Sequence, residues 1–187
     1  MKMNVKKLSV CAILIALSTV LSELIPSIQL PLGGSVTLLS MVPVCLIGIM
    51  YGFKWALPAT IAYGIIQLFF GLSNISYAIG IAGLVGAVTV IMFDYIIAYS
   101  VLSLSGIFNK IINNKILASI LGVIVVCLLR YICHIITGAT VYRELADFSA
   151  ALWYSITYNG TYMIPEIITT PIGIALIMKT KSINSLM

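Results

Sequence analysis

Charge is what this 187-residue chain has least of. Lys, Arg, Asp and Glu together make up 8% of it, against 61% hydrophobic residues. A soluble fold of this size cannot keep so much apolar surface out of water, so lipid is the solvent the composition calls for. Histidine occurs once, at His134, and there is no His-Glu-x-x-His and no Glu-Glu pair. Metal-dependent hydrolysis is therefore poorly supplied with ligands. The phosphate-binding Gly-x-x-x-x-Gly-Lys-Ser/Thr loop is missing too, so the chain cannot hydrolyse nucleotide by that route. Both absences argue against an enzyme, and no cofactor or metal is expected. The four cysteines, Cys11, Cys45, Cys127 and Cys133, sit inside apolar runs with no Cys-x-x-Cys spacing. They read as small core residues rather than ligands or disulfide partners. The net charge of +5 has no basic helix or basic–aromatic patch behind it, which excludes nucleic acid as a partner.

What charge there is falls in a pattern. Lys2, Lys6 and Lys7 precede the first of six apolar stretches, and Lys54 separates the second from the third. Lys110 and Lys115 separate the fourth from the fifth, and Lys179 and Lys181 follow the sixth. If each stretch crosses a bilayer once, all the lysines lie on one side, and the side that collects Lys and Arg is the cytoplasm. The spans read as 8–25, 38–53, 55–71, 88–105, 117–139 and 150–178, near the roughly 20 residues a helix needs to cross. The first begins like a signal peptide, but Glu23-Leu-Ile-Pro-Ser lacks a small-x-small cleavage site, so it is kept as a span. The expectation is an all-α integral membrane protein: one domain over residues 1–187, a single bundle of six transmembrane helices with both termini cytoplasmic. No internal repeat is visible, which weighs against the inverted-repeat plan of many secondary transporters.

Residues 72–105 are apolar for longer than one span requires, with Gly80, Gly83 and Gly86 at every third position. One reading breaks the chain near Gly86 and makes 72–87 an outer-face lid or re-entrant piece; the other makes the glycines a helix-packing seam.

Ionisable residues inside spans are expensive and face the bundle interior or a watery cavity. Asp94, Arg130, His134 and Glu166 qualify. The alternating span directions bring Asp94, His134 and Asn159 to the outer half from three different helices. Arg130 and His134 share a helix face, and Arg130 is expected to pair with Asp94 or Glu166. Tyr154, Tyr158 and Tyr162 form a helical stripe, with Tyr95, Tyr99, Tyr131 and Tyr142 adding rings. An interfacial aromatic belt accounts for some of these, but not for Asn159, whose amide has four hydrogen-bonding sites to satisfy. Such a pocket suits a flat, nitrogen-rich heteroaromatic ligand, held by cation–π attraction and the Asp94 charge if it is cationic.

These residues run in a recognisable order: Gly33-Gly34-Ser35-Val36, Met41-Val42-Pro43, Asp94-Tyr95, Leu129-Arg130-Tyr131-x-x-His134-x-x-x-Gly138, then Tyr154 through Asn159 to Pro165. Together they resemble the thiamine-specific substrate-binding subunit (S component) of energy-coupling factor (ECF) transporters, over nearly the whole chain. The resemblance implies a bacterial cell-membrane protein that binds thiamine from the outer face. It would work with a membrane scaffold subunit and two cytoplasmic ATPase subunits. It also implies ligand contacts at Asp94, Tyr95, His134, Tyr142, Tyr154 and Asn159, and scaffold docking through Ala12 and Ala16. Tyr142 stands where the family stacks a larger tryptophan, which leaves a thiamine precursor or another heterocyclic vitamin open as the ligand. A self-sufficient secondary transporter and an intramembrane enzyme are the rival classes.

Overall fold

The computed structural model describes residues 5–24, 28–29, 35–37 and 39–180. Lys2, Pro26, Pro31, the Gly33-Gly34 pair and Lys181 lie outside the described residues. Six helices follow in order: α1 (Val5–Glu23), α2 (Met41–Tyr51), α3 (Phe53–Phe70), α4 (Leu72–Lys110), α5 (Lys115–Tyr142) and α6 (Phe148–Met178). Between α1 and α2 two short strands, β1 (Ile28–Gln29) and β2 (Ser35–Val36), pair antiparallel with Ile28 opposite Val36. All but α2 are long and apolar enough to cross a membrane. The architecture is that of an all-α integral membrane protein.

The second span is the correction. Expected over 38–53, it is a helix of 11 residues, about 16 Å long at 1.5 Å per residue and about half the hydrocarbon thickness. Its residues Met41–Ile49 are all buried, so it is a core rod and not a lipid-facing one. The chain enters it through Leu39, whose φ of 61° is a strained left-handed conformation for a residue with a bulky side chain. Gly173 of α6 makes room for that turn, since a Cβ there would come within 2.9 Å of the Leu39 side chain. Above the start of α2 is open space, lined by Thr37, Ser40 and Met41. The helix is short because a cavity occupies its upper half.

Lys7, Lys54, Lys110 and Lys115 gather at one end as their spacing predicts. Lys7 Nζ sits 5.2 Å from the Tyr51 ring centroid and 5.9 Å from that of Trp55, beside the α2–α3 junction that carries Lys54. Asn109 Nδ2 donates to the Ile49 carbonyl at 2.9 Å, drawing the α4–α5 turn, with Lys110 and Lys115, to the same end. The cavity lies at the other end, against Glu23, Phe70 and Tyr142.

Helix α4 is compound. Its first part, Leu72–Thr89, is interrupted at Ala82 (φ −121°) and Gly83 (φ 57°, ψ −141°), a backbone that glycine adopts freely. A Cβ on Gly86 would stand 2.5 Å from the Ala78 carbonyl oxygen. In a straight helix those positions are about 12 Å apart, so the chain doubles back. The break thus falls at Ala82–Gly83, and Gly86 supplies the close approach that the reversal needs. The limb before the break covers the cavity through Ser73, Asn74, Tyr77 and Ala78. After it, the helix widens into a π-turn over Val90–Ile97, a feature frequent at functional sites. There the neighbours Asp94 and Tyr95 both reach the cavity wall.

Candidate functional site

The cavity measures about 360 Å³, within the roughly 300–1,000 Å³ of small-molecule sites. Every helix contributes to its wall: Ser22, Met41, Gln67, Asp94, His134 and Asn159 come from α1 to α6 in turn.

At its centre three charged or polar side chains form a chain rather than the expected pair. Arg130 makes no ion pair with Asp94 or Glu166 among the described residues. Instead its Nε donates to His134 Nε2 at 3.2 Å, and His134 Nδ1 meets Asp94 Oδ1 at 2.8 Å. A guanidinium N–H is always a donor, so Nε2 must accept and the imidazole proton must sit on Nδ1, donated to the carboxylate. His134 therefore lies between the cation and the anion, one helical turn from Arg130. The rest of the guanidinium rests on Tyr99, 4.1 Å above the ring centroid, with a 3.0 Å hydrogen bond to the hydroxyl and a 3.3 Å contact to Met41 Sδ. Asp94 keeps Oδ2 and is 24% exposed, so it faces the cavity.

Asn159 lines the cavity but turns its amide inward. Nδ2 donates to the His134 carbonyl at 3.1 Å and the Ser155 carbonyl at 2.8 Å, and Oδ1 accepts from the Tyr162 hydroxyl. These bonds hold the backbone beneath His134. Gly138 makes this possible: a Cβ there would lie 2.2 Å from Ser155 Oγ, so α5 and α6 meet at their closest where the imidazole is carried. The Ser155 hydroxyl bridges them by donating to the Ile135 carbonyl at 2.9 Å.

The tyrosines divide. Tyr142, Tyr158 and Tyr162 line the cavity, whereas Tyr154 does not. It stands behind, edge-on to Tyr142 at 4.9 Å and stacked on Tyr158 at 5.8 Å. Residues four apart on a helix drift by about 40° per step, so a stripe that faces the cavity at Tyr162 has turned away by Tyr154. Tyr95 offers its ring, but its hydroxyl accepts from Asn74 Nδ2 at 3.1 Å and donates to the Gly71 carbonyl at 3.3 Å. That fastens the covering limb of α4 to the π-turn.

Glu166 ties down the segment that leads into α2. Its Oε1 accepts from the Thr37 backbone N–H at 3.2 Å and from the Thr37 hydroxyl at 2.6 Å, and Oε2 accepts from Thr170 at 3.3 Å. The end of β2 is thereby pinned to α6. Sequence reasoning missed Gln67, Asn74 and Tyr77 on the wall. Gln67 had a signal, an amide within an apolar span, but attention to ionisable residues passed over it. Among the described residues no three of His, Cys, Asp and Glu come together as metal ligands.

Comparison with known proteins identifies the family. The family model for thiamine transporter proteins (Thia_YuaJ) matches residues 8–185. The chain belongs to the thiamine transporter protein family. As a member it is a multi-pass membrane protein of transport and not an enzyme. The thiamine transporter ThiT of Bacillus subtilis (strain 168) is 29% identical over 163 residues, which cover 82% of this chain and 79% of that protein. The solved structure of ThiT from Listeria monocytogenes superposes with a TM-score of 0.72 at 25% identity, covering 98% of this chain and 97% of the other. That structure and the present chain share one fold over nearly their whole lengths.

Proposed function

We propose that this chain captures thiamine in the cavity at the end opposite the lysines, on the extracellular side. It then delivers it as the S component of an ECF transporter, with a membrane scaffold subunit and two cytoplasmic ATPase subunits as partners. The observation that carries the reading is the balance of charge on the wall. Glu23, Asp94 and Glu166 line the cavity against a single guanidinium, Arg130, which is already matched to Asp94 through His134. A surplus of carboxylate in a low-dielectric pocket attracts a cation, and tyrosine rings on the same wall add cation–π attraction. Thiamine joins two heteroaromatic rings through a methylene group and carries a positive charge on one of them, so both features suit it.

Within this reading Asp94 supplies the counter-charge, with the imidazole of His134 beside it. Tyr142 and Tyr158 flank the ligand with their rings, and Tyr95 closes one wall. Asn159 acts by holding His134, and Tyr154 acts by buttressing Tyr142. Ala12 and Ala16 are exposed on α1; small residues four apart let another helix approach closely, and this face would meet the scaffold subunit.

Calorimetric titration of the purified chain with thiamine tests the binding step, and absence of heat at micromolar protein would refute it. Reconstitution in liposomes separates the S component from a self-sufficient transporter. The chain alone should bind without accumulating thiamine, and ion-driven uptake by the chain alone would favour the rival.

A further inference from the structure

Gln67 is buried to 6% exposure on α3 and lines the cavity. Its Nε2 donates to Ser22 Oγ of α1 at 2.7 Å and to the Tyr63 hydroxyl at 2.9 Å. Which end of an amide faces which neighbour is normally ambiguous, because nitrogen and oxygen look alike. Here the neighbours suit one assignment. Ser22 donates its hydroxyl proton to the Thr19 carbonyl at 3.1 Å, and Tyr63 donates its own to the Ser18 carbonyl at 3.4 Å. Each hydroxyl has one proton, and with the amide nitrogen against them both keep their carbonyl acceptors and accept from Gln67. In that arrangement the amide oxygen points the other way. Oε1 has no partner among the described residues, on a side chain that is otherwise held by two bonds.

Oε1 is not among the buried atoms left without a partner, so it is reached from the open cavity, and a wall built around such an acceptor discriminates strongly for a ligand that supplies the donor. We infer that Gln67 is a specificity-determining residue. Its Oε1 accepts a hydrogen bond from an N–H or O–H group of the bound heterocycle, and Ser22 and Tyr63 hold it in that orientation. The inference rests on the thiamine reading. Thiamine carries two neutral donor groups, an exocyclic amine on the pyrimidine and a terminal hydroxyl, and either chemistry satisfies the acceptor. Because Ser22 belongs to α1, the same bond ties ligand recognition to that helix.

The test compares three ligands by calorimetry on the purified full chain: thiamine, an analogue with the amine replaced by a carbonyl oxygen, and an analogue lacking the terminal hydroxyl. In Gln67→Met, affinity for thiamine is expected to fall about tenfold, the worth of one well-formed hydrogen bond. Affinity for one analogue stays unchanged, and that analogue identifies the donor. An equal loss for all three ligands, or no loss for thiamine, overturns the inference. Ser22→Ala, a one-atom change, gives a second reading. It frees the amide to rotate and should reduce discrimination against the same analogue, whereas unaltered discrimination overturns the inference even if Gln67→Met does not fold. Failure of the unaltered chain to bind thiamine would instead overturn the ligand assignment.

Discussion

Arg130 donates from Nε to Nε2 of His134, one turn further along α5, at 3.2 Å. That single bond decides which nitrogen of the imidazole carries the proton. A charge four residues away from the histidine thus sets the face that the histidine shows to Asp94.

The tautomer is directly observable. Nitrogen NMR of labelled imidazole should report a protonated Nδ1 and a bare Nε2 in the native chain. Arg130→Met, which keeps length and loses the donor, should let the two tautomers mix and weaken thiamine binding by about tenfold, the value of one hydrogen bond. An unchanged spectrum would show that Asp94 alone orients the ring.

Asp94→Asn tests the counter-charge. It keeps shape and one acceptor oxygen but removes the negative charge from the wall. Hydrogen bonds to charged groups contribute about 1.5–3 kcal/mol, so thiamine affinity should fall by roughly 10- to 150-fold. The melting temperature should change little, because Asp94 is partly exposed. Calorimetry and thermal unfolding in the same detergent separate the two effects.

Glu166→Ala should loosen the segment that leads into α2. It leaves the Thr37 N–H and Thr170 without this acceptor, while the Thr37 hydroxyl keeps Ser40, and a buried orphan such as Thr170 costs about 1–3 kcal/mol. The expected result is a lower melting temperature together with faster thiamine release, measured by stopped-flow fluorescence. Loss of stability with an unchanged release rate would make Glu166 a purely structural tie.

Gly138→Val should separate α5 from α6. The new Cβ would lie 2.8 Å from the Ser155 Cβ, and overpacking of this kind costs about 1–3 kcal/mol. Thiamine affinity should fall as well, because the Asn159–His134 bond spans the same contact. Binding that survives a confirmed loss of stability would detach Asn159 from the site.

Ala12→Trp with Ala16→Trp should leave thiamine binding intact and abolish ATP-driven uptake in vesicles containing the full complex. Both residues are exposed on α1 and remote from the cavity wall. Unimpaired uptake would move the scaffold contact elsewhere.

Much of this site could be read before any coordinates. Asp94, His134 and Asn159 stood out because polar atoms are rare in such a chain, and all three line one cavity. What each does there was less legible. Asn159 was expected as a ligand contact; it lines the cavity and also clamps the backbone, a second task invisible beforehand because carbonyl partners carry no sequence signature. Tyr154 shared a stripe with Tyr162 yet faces elsewhere, because a stripe of fours rotates about the helix axis. Gln67 was silent until the protons of Ser22 and Tyr63 could be followed to their acceptors.

The order of the helices, the end at which the lysines gather and the lipid setting follow from the sequence alone. Run length and charge position are local properties that any conformation of the chain retains. The half-length α2, the reversal at Gly83 and the Arg130–His134–Asp94 chain were decided only by tertiary structure. Each depends on depth and rotation about helix axes, and on contacts such as the one joining Asp94 to a histidine 40 positions away. No window along the chain contains that geometry.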